Sequence, residues 1–284
     1  MKTAAVIYLF ACLALFQPSH ATETTAQKEE GKTALVNTPL PRAETILSNY
    51  VEKLGGKSNF LNHTSHHMKG KVETPGQGIN GTLNVFAAKP NKLVARVELE
   101  GIGPIVQGYN GKIGWSINPL TGPTILEGKA LEDMVRQADF YNVLHQLDDY
   151  KSLETVTKTN FEGRASYKLR LVRKNGEEIF EYYDVETGLQ SGYTGTQETQ
   201  FGPVTVTTVI GDYKKFGDIT LPTKMIQKMS GLQQVMTFES VESDKVPDSV
   251  FDLPPEITAL LGGDSKAPSS PLPAPAKTPA SKSK

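Results

Sequence analysis

The chain has 284 residues, 38% of them hydrophobic and 21% charged, and its formal net charge is -1. This composition is typical of a globular protein long enough for one large domain. Its 30 Lys and Arg are scattered among 31 Asp and Glu, which argues against the basic stripe of a nucleic-acid-binding protein.

The first 21 residues have the pattern of a secretory signal peptide. Lys2 precedes an apolar run from Ala4 to Phe16, and small residues lead to an expected cleavage site after Ala21. The run is too short to span a bilayer, so we expect a soluble mature protein. A form lipidated at Cys12, the only cysteine, is the alternative. After cleavage the chain would have no cysteine, hence no disulfide and no thiol chemistry.

The rest of the chain divides into three parts by composition. Residues 22–40 are polar and unpatterned, which predicts a flexible leader. The patterned part, residues 41–261, is expected to form the folded domain. Residues 262–284 are rich in Pro, Ala, Ser and Lys and offer little to bury, so they are predicted to be a disordered tail.

The folded part is predicted to begin with a helix and continue as strands. Apolar residues at helical spacing predict a helix from Arg42 to Leu54, which Gly55 and Gly56 end. From about Thr64 the apolar period changes to two, as in residues 92–100. Such alternation indicates antiparallel strands with one covered face. We count about eleven strands in two runs.

One long helix, Gly128 to Tyr150, is predicted between the two runs of strands. Its apolar stripe consists of Leu131, Met134, Ala138, Tyr141, Leu144 and Leu147. The stripe has to pack against the sheet because no other element offers a comparable apolar surface. The predicted fold class is therefore mainly β (α+β), a large curved antiparallel sheet with helices covering its concave face.

Motifs of catalysis are missing from this sequence. It contains no GxSxG, GxxxxGK[ST] or HExxH pattern, so we predict neither an enzyme nor a cofactor. His63, His66 and His67 could suggest a metal site, but neighbouring strand residues point to opposite faces, and we interpret the cluster as a solvated strand start. His145 is interpreted as a half-exposed helix residue rather than a catalytic base.

The order of elements resembles the LolA/LolB-like lipoprotein-sorting family of periplasmic lipid-binding half-barrels. The resemblance covers residues 42–254 and is carried by turn and strand-end motifs: Gly55-Gly56, Asn110-Gly111, Gly114-Trp115, Tyr182-Tyr183-Asp184, Thr187-Gly188-Leu189, residues 211–217, residues 219–222 and residues 246–252. The resemblance implies that the curved sheet forms an unclosed half-barrel, whose helices cover its concave face and a hydrophobic cavity for acyl chains.

The function expected on this basis is that of an exported periplasmic carrier in a Gram-negative bacterium. It would be a monomer that binds a lipid or acyl chain, touches a membrane transiently and hands its cargo to a membrane or an envelope protein. The predicted cavity lining consists of Met134, Val135, Ala138 and Leu144 from the helix, with Leu93, Val97, Met225 and Met236 from strands. The alternatives are an envelope protein–protein interaction module and a secreted hydrolase or metalloprotein.

Overall fold

The computed structural model of the protein describes residues 39–199 and 202–262. The predicted signal peptide lies outside the described residues, and so do the predicted leader and tail apart from residues 39, 40 and 262. The described helices are α1 (Ala43–Lys53), α2 (Lys57–Asn62), α3 (Gly128–Gln137), α4 (Gln146–Asp149) and α5 (Pro255–Leu261). None of these helices is long and apolar enough to cross a membrane.

Thirteen strands occupy most of the described ranges. They are β1 (Ser65–Thr74), β2 (Ile79–Ala88), β3 (Lys92–Leu99), β4 (Gly103–Tyr109), β5 (Gly114–Asn118), β6 (Gly122–Ile125), β7 (Tyr150–Phe161), β8 (Arg164–Arg173), β9 (Glu178–Asp184), β10 (Gln190–Thr199), β11 (Gly202–Phe216), β12 (Ile219–Met229) and β13 (Leu232–Ser243). The sequence predicted about eleven. Short strands such as β6 account for the difference, because four residues are too few to show an alternating pattern.

All thirteen strands form one antiparallel sheet in the order β6-β5-β4-β3-β2-β1-β13-β12-β11-β10-β9-β8-β7. Each run of strands is a meander, and the two meanders join at the centre, where β1 pairs with β13. β6 and β7 lie at opposite edges of the sheet and do not pair with each other. The predicted fold class, an unclosed half-barrel with helices over its concave face, is therefore confirmed.

Residues 126–149 connect these two edges, so this segment has to cross the concave face of the sheet. The sequence predicted one helix from Gly128 to Tyr150, and that prediction is wrong. The segment consists of α3, a 3-10 turn at Asn142–Leu144 and the short helix α4, and Tyr150 already belongs to β7.

The break follows from the buried side chain of Asp139. Its carboxylate accepts hydrogen bonds from the backbone N–H of Tyr141 at 3.4 Å and pairs with His145 Nδ1 at 2.8 Å. An Asp that binds nearby polar groups in this way competes with helical hydrogen bonding. The backbone N–H of Phe140 donates to the carbonyl of Pro90 at 3.1 Å, which fixes the break against the sheet.

Helix α1 ends where the sequence predicted, at two glycines. Gly55 has φ +124°, and a Cβ there would lie 2.6 Å from the carbonyl oxygen of Asp218. Only glycine allows both the positive φ and this close approach. The backbone N–H of Thr220 then donates to the carbonyl of Leu54 at 2.7 Å, so the end of α1 is tied to the turn between β11 and β12.

The concave face holds the main apolar core, here called the inner core. It combines residues of α1, such as Leu47 and Tyr50, with inward-facing strand residues of both meanders, such as Leu83 and Leu169. Met134 of α3 is buried in the same cluster. The alternation read from the sequence therefore points its apolar residues to the face that the helices cover.

The convex face of the first meander carries a second apolar group, the outer cluster, formed by Val94, Trp115, Phe251 and Ile257. Phe251 and Ile257 come from the C-terminal residues that follow β13, so this segment covers the back of the sheet. Gly108 makes room for the indole, because a Cβ at this position would lie 2.3 Å from a ring carbon of Trp115.

Candidate functional site

Two neighbouring cavities lie under the segment that crosses the concave face. The larger has a volume of about 290 Å³ and the smaller a volume of about 130 Å³. Ligand pockets in proteins usually measure about 300 to 1,000 Å³, so the larger cavity lies near the lower limit of that range. Gln137, the last residue of α3, is part of the wall of both.

The larger cavity lies between α3 and strands of both meanders, and its wall combines polar and charged side chains with a larger apolar surface. Its lining comprises Gln107, Leu126, Lys129, Ala130, Asp133, Met134, Arg136, Gln137, Arg173, Glu177, Glu178, Ile179, Tyr193, Gly195, Thr196, Gln197, Val206 and Gln227. A wall of this kind suits an amphiphilic group, because it offers hydrogen-bonding partners beside apolar contacts.

The smaller cavity lies on the other side of Gln137 and is mostly apolar. Its lining comprises Leu54, Phe60, His66, Met68, Val85, Ala87, Leu93, Gln137, Asp139, Phe140, Asn142, Val143, Leu221 and Pro222. Aliphatic and aromatic side chains of this kind gain free energy by contact with an alkyl chain.

Ion pairs compensate the charges on the wall of the larger cavity. Arg173 is 4% exposed, and its guanidinium lies 3.9 Å from the carboxylate of Asp149 and 3.4 Å from that of Glu177. Arg136 pairs with Asp133 and lies 3.7 Å from Glu177. These cations are therefore balanced by Asp133 and Glu177 of the same wall and by Asp149, which lies outside the lining. Burial raises the pKa of Asp149 to about 6, although Arg173 opposes the shift.

A buried carboxyl group, Glu181, lies in the inner core beside this cavity. Glu181 is 2% exposed, accepts a hydrogen bond from the Tyr183 hydroxyl at 2.6 Å and is paired across the sheet with Tyr193 of the cavity wall. Burial raises its pKa from 4.5 to about 7, although Tyr183 and Arg173 oppose the shift. The native protein thus holds this proton at pH values where an unfolded chain has released it.

We therefore expect Glu181 to lower the stability of the fold as the pH rises. The native pKa is above the unfolded one, so the stabilising contribution is complete below pH 4.5 and is lost as the pH rises through about 7. This loss amounts to about 3 kcal/mol of unfolding free energy. Urea titrations of Glu181→Gln between pH 4.5 and 8 should show a shallower decline than the parent protein. If the unfolding free energy fell equally steeply with pH in parent and variant, the expectation would be contradicted. Glu154→Gln, at an exposed position of β7, is the matched control.

The histidine cluster is folded into the structure rather than solvated as the sequence predicted. The ring nitrogens of His63 lie 2.8 Å from Asp218 and 2.8 Å from Asp244, in the turns beyond β11 and β13. Burial lowers the pKa of His63, but the bonds to Asp244 and Asp218 outweigh it, and the pKa is raised. Within residues 39–199 and 202–262, no group of three or more His, Cys, Asp or Glu side chains is placed to hold a metal ion.

His66, in contrast to the ion-paired His63, is part of the wall of the smaller cavity. Its ring stacks on Phe140 with 4.9 Å between ring centroids, and Nδ1 lies 3.0 Å from the Ser243 hydroxyl. Burial, followed by the proximity of His63, lowers the pKa of His66 to about 4. The imidazole is therefore neutral at neutral pH, which is compatible with an apolar cavity.

All eight residues predicted to line a cavity belong to the inner core or pack against it. Met134 lies in the wall of the larger cavity and Leu93 in that of the smaller. Four others are buried beyond both walls, namely Val97, Ala138, Met225 and Met236. Val135 and Leu144 are half-buried against the same core. Contact between these eight residues and a ligand stays a prediction.

The polar wall residues were not predicted from the sequence. Arg136 and Gln137 lie off the apolar stripe of the predicted helix, so the sequence placed them toward solvent. They reach the cavity because α3 crosses between two meanders and is contacted on more than one side. The only signal in the sequence was the position of the helix between two runs of strands.

The comparisons with known proteins agree with this architecture. No family model and no curated protein matches the chain. Among solved structures, a LolA superfamily protein from Nitrosomonas europaea matches with a TM-score of 0.51 at 14% identity, over 75% of this chain and 99% of that one. A DUF1329 family protein from Desulfovibrio piger matches with a TM-score of 0.52 at 12% identity, over 75% and 98%. At such identities the similarity concerns the fold, and the chain has a LolA-like fold.

Proposed function

We propose that this LolA-like half-barrel is an exported carrier that shields the acyl chains of a lipid or lipoprotein. The observation that carries the proposal is the unfilled apolar cavity on the concave face, between Phe60 of α2, the strands around Val85 and the crossing segment at Val143. A core built only for stability would fill this space with side chains, because protein interiors are normally close-packed.

Burial of the alkyl chain provides the binding free energy. Each methylene removed from water contributes about 0.8 kcal/mol, so a short segment of chain in the smaller cavity already gives measurable affinity. A membrane offers the same chain an equally apolar environment. Release therefore requires only contact with a membrane or a receiving protein, and no chemical step or cofactor.

The predicted signal peptide supports an exported carrier, which we place in the periplasm of a Gram-negative bacterium. The proposed protein works as a monomer, touches a membrane transiently and delivers its cargo to that membrane or to an envelope protein. The Pro-rich C-terminal segment lies outside the described residues, and we assign no role to it.

Native mass spectrometry with lipid extraction tests the proposal directly. We expect the mature protein, purified from the envelope without detergent, to carry a mass increment that extraction identifies as a lipid, fatty acid or lipopeptide. An apo mass together with no binding of a hydrophobic dye would contradict the carrier and favour an envelope interaction module. A sample stripped of lipid by unfolding and refolding is the control for the increment.

A further inference from the structure

Gln137 separates two cavities of different chemistry. On one side the apolar cavity includes Leu93 and Phe140, and on the other the larger cavity includes Gln107, Thr196 and Gln227. The apolar cavity suits an alkyl chain, and the larger cavity offers a polar group more hydrogen-bonding partners. An amphiphilic molecule that extends past Gln137 would match both walls at once.

The Gln137 side chain contains a buried hydrogen-bond acceptor that needs a donor. Its Oε1 is buried and has no hydrogen-bond partner within the part of the chain that the structure describes. A buried acceptor without a donor costs about 1–3 kcal/mol. Rotation of the side chain toward either cavity would bring this oxygen to a ligand, since both cavities border the residue.

The charges on the wall of the larger cavity limit which chemical groups can form the polar end of such a ligand. Lys129 lies 3.4 Å from Asp133 and 3.5 Å from Glu177, and the two arginines of the wall are also ion-paired. The wall thus presents no large uncompensated charge. A polar end without net charge fits it best, because an added charge would have to break an existing ion pair.

We infer that Gln137 recognises a single-chain amphiphile with a hydrogen-bond donor close to its acyl chain. The chain occupies the apolar cavity, the uncharged polar end occupies the larger cavity, and the donor, a hydroxyl or an amide N–H, binds Gln137 Oε1. This inference rests on the proposed function and adds the ligand class and the residue that selects it.

The test uses three probes that share a ten-carbon acyl chain. Monodecanoylglycerol offers hydroxyl donors, N-methyldecanamide offers an amide N–H, and methyl decanoate offers no donor. Their affinities are measured by displacement of 1-anilinonaphthalene-8-sulfonate from the full mature protein. We expect at least one donor probe to bind about tenfold more tightly than methyl decanoate, because it satisfies the buried acceptor. The tighter of the two donor probes identifies the hydroxyl or the amide as the source of the donor.

Gln137→Leu should abolish this preference while the protein remains folded, since the substitution removes a buried acceptor that has no partner and with it the desolvation cost of that acceptor. Gln137→Met provides a second variant of similar size, and Gln77→Leu, at the turn between β1 and β2, is the matched control. Equal affinities of the parent protein for all three probes, or a preference that survives in both Gln137 variants, would overturn the role of Gln137 and leave the carrier intact. Displacement by none of the probes would instead overturn the carrier, and the inference with it.

Discussion

Replacement of Ala87 by Trp is expected to lower the affinity for acyl-chain probes by about a thousandfold. Ala87 lies on β2 with its side chain toward the apolar cavity, between His66 and Leu93 on the neighbouring strands. An indole at this position would occupy the 130 Å³ that the alkyl chain needs. Exclusion of about five methylenes costs about 4 kcal/mol of binding free energy, which corresponds to that factor.

Displacement of 1-anilinonaphthalene-8-sulfonate by decanoate probes measures the effect. Ala165→Trp introduces the same side chain at an exposed position of β8 and should bind like the parent protein. A thermal unfolding midpoint close to that of the parent establishes that the Ala87→Trp variant is folded. Undiminished affinity in a folded Ala87→Trp variant would place the alkyl chain elsewhere and contradict the apolar cavity as its site.

Phe251→Ala is expected to destabilise the fold by about 4 kcal/mol. Phe251 is 2% exposed and packs in the outer cluster against Val94, Trp115 and Ile257. Loss of a buried ring removes its transfer free energy and leaves a cavity that the sheet behind it cannot close. Lys92 lies over the ring at 5.8 Å from its centroid and also pairs with Asp248 at 2.6 Å, so the substitution weakens a second attachment of the same segment.

Urea unfolding gives the change in unfolding free energy. Leu261, at the end of α5, has a side chain that is 46% exposed. Leu261→Ala is the matched control, and its unfolding free energy should stay within about 0.5 kcal/mol of that of the parent protein. Because the outer cluster and the cavities lie on opposite faces of the sheet, folded Phe251→Ala protein should still bind acyl probes. A loss below about 1 kcal/mol would contradict the view that the C-terminal segment belongs to the folded unit.

The two substitutions separate functions that the sheet places on its two faces. Ala87 faces the cavity, whereas Phe251 covers the back of the same meander. Ala87→Trp should therefore lose binding and keep its stability. Phe251→Ala should lose stability and keep binding. The pH dependence expected from Glu181 is independent of both, since it reports only on the buried carboxyl group beside the larger cavity.

Local pattern determined the elements of this fold. The alternation of Leu93, Ala95 and Val97 defined a strand and its buried face, and Gly55 with Gly56 defined the end of the first helix. Both signals depend on residues close in sequence, because side-chain direction and backbone torsion are local properties. The position of a helix between two runs of strands was enough to predict a curved sheet with a covered concave face, and the resemblance to LolA/LolB-like proteins added the half-barrel.

Only the tertiary structure decided where the long predicted helix breaks and which residues surround a cavity. The break is fixed by a contact with a distant part of the chain, because the backbone N–H of Phe140 donates to the carbonyl of Pro90, some fifty residues earlier. Gln137 borders both cavities only because its helix crosses from one edge of the sheet to the other. Periodicity reports which face of an element is apolar, but the space left between two elements depends on how both pack, and no single segment encodes that space.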